Sequence, residues 1–198
     1  MKQIKFGIAG YGKMGRIREE SILNSSNAKL MSIYEVSDYS HNDKSTVQCN
    51  SFDELLKTDI DAVIVSAYVS VAADYAIRAL NSGKHVFCEK PPSMTFKEMQ
   101  EIIKAEKKAN KVLKYGFNHR FHHSVMEAKK VIDSGDLGKI LWMRGVYGKA
   151  GSIDFNDNWR NYKNYSGGGI LMDQGIHMLD LFRYFSDSEF RCLNAHLT

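Results

Sequence analysis

The sequence has few cysteines, and their placement excludes a disulfide scaffold. Cys49, Cys88 and Cys192 are odd in number and far apart, so they show neither a disulfide framework nor the paired spacing of a zinc site. This usage is typical of a reducing compartment, and we expect a cytoplasmic protein. With 198 residues the chain can bury a hydrophobic core without such staples.

Long apolar runs and basic stripes are also missing. Residues 1–15 hold no apolar segment of signal-peptide length, and the longest apolar stretch, Ala62–Ala73, is too short to cross a bilayer. The net charge of +4 arises largely in residues 97–114, where lysines and glutamates alternate as on a solvated helix face. We therefore expect neither a membrane nor a nucleic-acid partner.

The first half of the chain alternates short apolar strands with amphipathic helices, a pattern typical of a parallel sheet covered on both faces. Ser51 with Glu54 and Thr95 with Glu98 have capping-box spacing, which marks two helix starts. The fold class we predict is α/β, a doubly wound parallel sheet of the Rossmann type. Its strands are predicted at 4–9, 30–35, 62–66, 85–88 and 112–117.

The pattern changes near residue 118, where we place a domain boundary. Residues 1–118 form the Rossmann domain, and residues 119–198 begin an α+β domain that we expect to be truncated. In this second part we predict a helix over 125–134, an extended piece over 140–147, a tight connection at 167–169 and a helix over 171–185. One more possible strand precedes residue 198.

A glycine-rich loop follows the first predicted strand and opens a helix. Gly10 permits a tight turn, Gly12 lets the backbone approach a pyrophosphate, and Gly15 lets the helix pack closely on the strand. The N–H groups of the helix then face the anion. This context predicts dinucleotide binding by the loop residues Gly10, Tyr11, Gly12, Lys13, Met14 and Gly15.

An acidic residue lies at the end of the second predicted strand, 20 residues beyond Gly15. The Glu35 carboxylate can accept hydrogen bonds from both ribose hydroxyls of adenosine, and Asp38 takes that role if the strand ends later. A 2′-phosphate would meet like-charge repulsion there, and no arginine follows closely to offset it. The cofactor expected is therefore NAD, with NADP disfavoured.

Five motifs, spread over nearly the whole chain, resemble the glucose-fructose oxidoreductase, inositol dehydrogenase and MocA family. They are 83–91, which ends in Glu89-Lys90-Pro91, then 116–120, Trp159-Arg160, 167–169 and 173–180. The resemblance implies an NAD-dependent oxidoreductase that acts on a hydroxyl carbon of a sugar or polyol, with nucleotide-linked and amino sugars among the options. It also implies a second domain with an open, mainly antiparallel sheet, and a homo-oligomer where that domain is complete.

The family's catalytic lysine, aspartate and histidine correspond to Lys90, Asp173 and His177. Oxidation of an alcohol needs a base for the hydroxyl proton while hydride leaves the carbon. Because Asp173 and His177 are four residues apart on a predicted helix, the carboxylate can orient the imidazole. The Lys90 ammonium would stabilise the developing alkoxide.

The remaining site assignments also come from the resemblance. Glu89 and Lys90 are expected at the cofactor, together with Ala67 and Tyr68, although the family often has a threonine-proline-asparagine turn at 67–69. Tyr68 can stack on the nicotinamide or pack inside the protein. Substrate contacts are expected from Asn118, Arg120, Trp159 and Arg160, with core packing an equal alternative for Trp159.

Other functions stay open at this point. A metal site would need Asp173, His177 and one histidine among 119, 122 and 123, and we predict none because those histidines lie in another segment. An NAD-dependent glycosidase of the same fold would carry the same motifs. A non-catalytic nucleotide-binding sensor and a truncated fragment are the further alternatives.

Overall fold

The first unit of the protein is a six-stranded parallel sheet. The computed structural model describes residues 3–148 and 159–196. The strands are β1 (Ile4–Ala9), β2 (Ala28–Tyr34), β3 (Val47–Cys49), β4 (Ala62–Val65), β5 (His85–Cys88) and β6 (Leu113–Tyr115). They lie in the order β3-β2-β1-β4-β5-β6, which is the strand order of the Rossmann fold. The predicted doubly wound sheet is confirmed, and the short β3 is an additional edge strand.

Seven α-helices accompany these strands in the described residues. They are α1 (Lys13–Leu23), α2 (Phe52–Lys57), α3 (Val69–Asn81), α4 (Phe96–Ala109), α5 (His123–Asp133), α6 (Lys163–Ser166) and α7 (Ile176–Ser186). The capping box at Thr95 is complete, whereas Ser51 caps α2 and the Glu54 carboxylate turns to the backbone of Asn50 instead. None of the helices in the described ranges is long and apolar enough to cross a membrane.

The sheet interior explains why β4 reads as a continuous apolar run. All four of its residues are buried, because β1 and β5 flank it and helices cover both faces. The alanines of α3 allow that helix to pack closely beside the sheet. Since the chain runs from β1 outward to β2 and later returns to β4, a crevice opens where β1 and β4 end.

After β6, the regular secondary structure in the described residues is helical, and residues 134–148 and 187–196 are turns or irregular. A 3₁₀ turn over Asn118–Phe121 leads into α5, and a π turn over Leu171–Gly175 leads directly into α7. The predicted helix over 171–185 is thus present, with its first turn widened. No strand occurs after Tyr115 within residues 3–148 and 159–196, so the antiparallel sheet of the second domain stays a prediction.

Candidate active site

The glycine loop between β1 and α1 forms a tight turn at the crevice. Gly10 has φ of +91°, and a Cβ there would lie 2.5 Å from the backbone nitrogen of Ala67. A Cβ at Gly15 would collide with the carbonyl oxygen of Gly10, whereas one at Gly12 would meet nothing within 4 Å. The loop is closed against β4 and open at Gly12, so its shape fits a pyrophosphate.

Glu35 lies directly after β2, beside the glycine loop. Its Oε2 accepts a hydrogen bond of 2.5 Å from the backbone N–H of Tyr11, and its Oε1 accepts bonds of 2.8 Å from Val36 and 3.0 Å from Ser37. Three backbone donors therefore hold this carboxylate in place at the edge of the loop. Such a fixed acceptor is suited to binding ribose hydroxyls.

The side chain of Tyr11 points into the protein. It is buried between Tyr39 and His41, and its hydroxyl donates to Glu19. Burial, and next the hydrogen bond to Glu19, raise the pKa of Tyr11 to about 12. Tyr11 therefore contributes its backbone to the loop, and its side chain lies away from it. Later in the loop, Lys13 is exposed and Met14 is half-buried.

The carboxylate of Glu89 pairs with α1. Its Oε1 accepts a hydrogen bond of 2.7 Å from Arg18 Nε, and both side chains are largely buried. Gly116 lies so close that a Cβ there would be 2.7 Å from the other carboxylate oxygen of Glu89. This ion pair joins α1 to the ends of β5 and β6, so the contact we find for Glu89 is structural.

Lys90, two residues beyond β5, reaches the turn that begins the last helical segment. Its Nζ donates to the carboxylate Oδ1 of Asp173 at 2.9 Å and to the backbone carbonyl of Asp173 at 2.6 Å. Both side chains are about 15% exposed. The structure thus joins two residues that lie 83 positions apart in the sequence.

The carboxylate of Asp173 is shared with further donors. Its Oδ2 accepts hydrogen bonds of 3.1 Å from Arg160 Nε and of 2.9 Å from Gln174 Nε2. Burial alone would raise the pKa of Asp173, but the bonds from Lys90 and Gln174 and the charge of Arg160 outweigh it and hold the pKa below its usual value. Asp173 is therefore ionised and forms ion pairs with both Lys90 and Arg160.

His177 is the second residue of α7 and is 3% exposed. Burial, followed by the nearby His119 and the Lys90 charge, lowers the pKa of His177 to about 4. Among the residues that the structure describes, its Nδ1 has no hydrogen-bond partner. The bond from Asp173 that the four-residue spacing predicted is not formed there, because the Asp173 oxygens face Lys90, Arg160 and Gln174.

Arg120, which was expected at the substrate, pairs with Asp180 of α7. Its Nε and terminal nitrogen donate to the two carboxylate oxygens at 2.7 and 2.5 Å, and the Asp180 side chain is 5% exposed. This bidentate pair ties the 3₁₀ turn after β6 to α7. Asn118, the first residue of that turn, is exposed.

An aromatic cluster lies between α3 and the segment from 159 to 166. Tyr68 is 38% exposed and meets the rings of Trp159 and Tyr165 at centroid distances of 5.2 and 5.4 Å. The Arg160 guanidinium lies 4.4 Å above the Trp159 ring. Since Arg160 also binds Asp173, this cluster borders the Lys90 and Asp173 pair.

The histidines and carboxylates near this site do not form a metal-binding group in the described residues. Across residues 3–148 and 159–196, no three histidine, cysteine or carboxylate side chains are grouped so that they could hold a metal ion. His119 and His122 instead contact each other through their rings, at a centroid distance of 4.8 Å.

Comparisons with known proteins identify the family. A family model described as an oxidoreductase family with an NAD-binding Rossmann fold, GFO/IDH/MocA, matches residues 4–117, more than half of the chain. The chain belongs to the GFO/IDH/MocA family. The model of the C-terminal domain of GFO/IDH/MocA proteins matches residues 125–198.

Individual relatives in the GFO/IDH/MocA family are named as dehydrogenases of polyols or sugars. Levoglucosan dehydrogenase of Pseudarthrobacter phenanthrenivorans is 38% identical over 142 residues, which cover 71% of this chain and 36% of that protein. The structure of myo-inositol 2-dehydrogenase from Lactobacillus plantarum has a TM-score of 0.85 and 29% identity, covering 94% of this chain and 57% of that one.

A further solved relative carries ligands. Scyllo-inositol dehydrogenase from Lactobacillus casei, with bound NAD(H) and scyllo-inositol, has a TM-score of 0.83 and 28% identity, and covers 94% of this chain and 57% of that one. The matched residues span little more than half the length of these solved members of the family, and about a third of the levoglucosan dehydrogenase.

Sequence reasoning missed several contacts at this family site. Gln174 follows Asp173 directly, yet its amide was not expected on the carboxylate. Ser66 donates to the Gly10 carbonyl at 2.6 Å and closes the glycine loop against β4. His119 was weighed only as a metal ligand, although it stacks on His177. No sequence signal links these last pairs, because 56 or more residues separate their members.

Proposed function

We propose that this chain belongs to an NAD-dependent dehydrogenase that moves a hydride between a hydroxyl-bearing carbon of a sugar or polyol and nicotinamide. The observation that carries the proposal is the largely buried pair of Lys90 with Asp173, which precedes the buried His177 by four residues in the same helical segment. It lies beyond the carboxyl end of β5, on the sheet edge that also carries the glycine loop.

We assign the cofactor to residues 1–118 and the start of the substrate domain to residues 119–198. The loop from Gly10 to Gly15 would hold the pyrophosphate, and Glu35 the adenosine ribose. Because three backbone N–H groups fix a carboxylate at that place, we expect NAD to bind more tightly than NADP. When bound, the nicotinamide would supply the hydride acceptor.

Lys90 is the proposed electrophile. Its ammonium is held by two oxygens of Asp173 in a site with little solvent, where a positive charge acts strongly on a developing alkoxide. Asp173 accordingly has a different role from the one its spacing indicated. Its carboxylate fixes Lys90 and Arg160 and does not orient the imidazole.

His177 is the proposed base. With a pKa of about 4 its imidazole is neutral at pH 7 and can accept the hydroxyl proton. Such an imidazole is a weak base, so the alcohol must be made more acidic for the proton to move. The Lys90 ammonium makes the alcohol more acidic, because its positive charge stabilises the alkoxide. The same charge adds to the effect of burial in lowering the pKa of His177.

The aromatic cluster of Tyr68, Trp159 and Tyr165 is the proposed wall of the substrate site. Aromatic faces suit the C–H face of a sugar ring, and the neighbouring Arg160 can donate to hydroxyl groups. The relatives named for inositols and levoglucosan support a neutral, polyhydroxylated substrate. The homo-oligomer and the cytoplasmic location stay predictions.

Titration with NAD and assays of NADH formation test the proposal. The substrates are myo-inositol, scyllo-inositol and levoglucosan, and the variants are Lys90→Ala, His177→Ala and, as a matched control, the exposed Lys107→Ala on α4. We expect the first two to lower turnover by about 10²–10⁴-fold without loss of NAD affinity, and the control to match the parent.

Two results would overturn this function. Turnover that is unchanged in Lys90→Ala or His177→Ala would remove these residues from the chemistry. Release of an aglycone from a glycoside without net NADH would instead indicate the glycosidase reaction.

A further inference from the structure

The imidazole of His177 is held by rings from the segment after β6. The His119 ring stacks on it with a centroid distance of 3.8 Å and an interplanar angle of 13°. The Phe117 ring stands perpendicular to it, with a centroid distance of 6.2 Å and an angle of 89°. Both neighbours come from the 3₁₀ turn or the residue before it, and Arg120 of the same turn is tied to α7 through Asp180.

Hydrogen bonds do not supply this orientation in the residues that the structure describes. The Asp173 oxygens are taken up by Lys90, Arg160 and Gln174, and the buried Nδ1 of His177 finds no partner among residues 3–148 and 159–196. A histidine that acts as a base needs its ring plane fixed, because its nitrogen lone pairs lie in that plane. The stacked ring of His119 and the perpendicular ring of Phe117 are contacts that can fix it.

The stack cannot itself carry a proton between the two rings. Each imidazole N–H and lone pair lies in the plane of its own ring, so two rings stacked face to face do not hydrogen-bond to each other. His119 is backed in turn by Tyr147, whose ring lies 5.9 Å away at 11°, and by His122 at 4.8 Å. His119 therefore acts through its ring face.

We propose that His119 is a positioning residue for the base His177, and that its ring face sets the plane of the His177 imidazole. This inference rests on the proposed function of His177. It requires a flat ring at position 119 and no particular nitrogen, which sets it apart from a proton-relay role.

Burial and the neighbouring cations favour a stack of two neutral rings at rest. The charge of Lys90 acts in this direction on both rings, whereas Asp180 acts against it on both and Asp173 acts against it on His177. Burial, then His122 and Lys90, lower the pKa of His119.

Histidine NMR tests the positioning without turnover. We compare the full chain with His119→Ala, His119→Phe and the exposed control His123→Ala, and assign the His177 ring signals from their loss in His177→Phe. A stacked ring shields its neighbour, so His119→Ala should move the His177 signals and His119→Phe should retain a shielded position. The pKa of His177 should rise in both, because each variant removes the titratable His119 imidazole, which adds to the effect of burial in lowering that pKa.

Turnover supplies the second measurement. We expect His119→Ala to lower kcat by about 10–100-fold at unchanged KM for NAD, and His119→Phe to recover to within about threefold of the parent. Parent-like His177 signals and kcat in His119→Ala would overturn the proposal. So would a His119→Phe variant as slow as His119→Ala, because that result would require a nitrogen at position 119.

These outcomes are separable from failure of the proposed function. A fully active His177→Ala would end the role of His177 as a base, whatever the NMR signals report about the stack. A slow His177→Ala together with an indifferent His119→Ala would end the inference on His119 alone.

Discussion

Acid should destabilise this protein through His177 before its low-pKa carboxylates titrate. The folded-state pKa of His177 is about 4, against an ordinary value of 6.5. The native state therefore binds fewer protons than the unfolded chain between these values, and the free energy of unfolding falls as the pH falls through this window. The contribution of His177 to the free energy of unfolding is complete above about pH 6.5 and declines as the pH falls toward 4.

The magnitude follows from the two pKa values. With folded and unfolded values of about 4 and 6.5, moving from pH 7.5 to pH 4.5 lowers the free energy of unfolding by roughly 2–3 kcal/mol through this one group. The pKa of His119 is lowered as well, so its contribution has the same sign. The pKa of Asp173 lies below its usual value, and its stabilisation is lost at lower pH.

Urea unfolding at both pH values measures this effect in the parent and in His177→Phe. The phenylalanine keeps a ring against His119 but does not titrate, so this variant should lose roughly 2–3 kcal/mol less on acidification than the parent. His123→Phe, at an exposed histidine, should behave as the parent does. An equal loss in the parent and in His177→Phe would refute the reasoning.

Two substitution pairs test the loop and the buried ion pair. Gly10→Ala should destabilise the fold by roughly 2–4 kcal/mol, because φ at this residue is +91° and the new Cβ would lie 2.5 Å from a backbone nitrogen. Gly12→Ala has open space around its Cβ, so it should leave stability nearly unchanged and lower the NAD affinity measured by calorimetry. Equal stability of the two variants would contradict this view of the loop. Arg120→Leu should cost roughly 1–3 kcal/mol in urea unfolding, because it leaves the buried Asp180 carboxylate without its partly exposed cation, and replacing both residues by leucine should recover much of that loss. A stable Arg120→Leu that has lost only substrate affinity would return Arg120 to the substrate site.

Local chemistry made the first half of the chain readable. The alternation of apolar strands and helices, the capping box at Thr95 and the glycine spacing after β1 depend on contacts within a few residues, so they survive as sequence patterns. The edge strand β3 was missed because three residues with little apolar pattern carry no such signal. The apolar pattern of residues 171–185 predicts an ordinary α-helix and carries no signal for the widened turn at 171–175.

The doubly wound sheet and the glycine loop follow from sequence patterns alone, as does the presence of Lys90, Asp173 and His177. The partner of each charged or aromatic group depends on how the chain packs: Asp173 contacts Lys90 and Arg160, Glu89 contacts Arg18, and His177 contacts the ring of His119. Helix and strand periods place residues on faces, but they do not rank the donors that compete for one carboxylate. That competition is settled by distances across 13 to 83 residues, which exist only once the chain has packed.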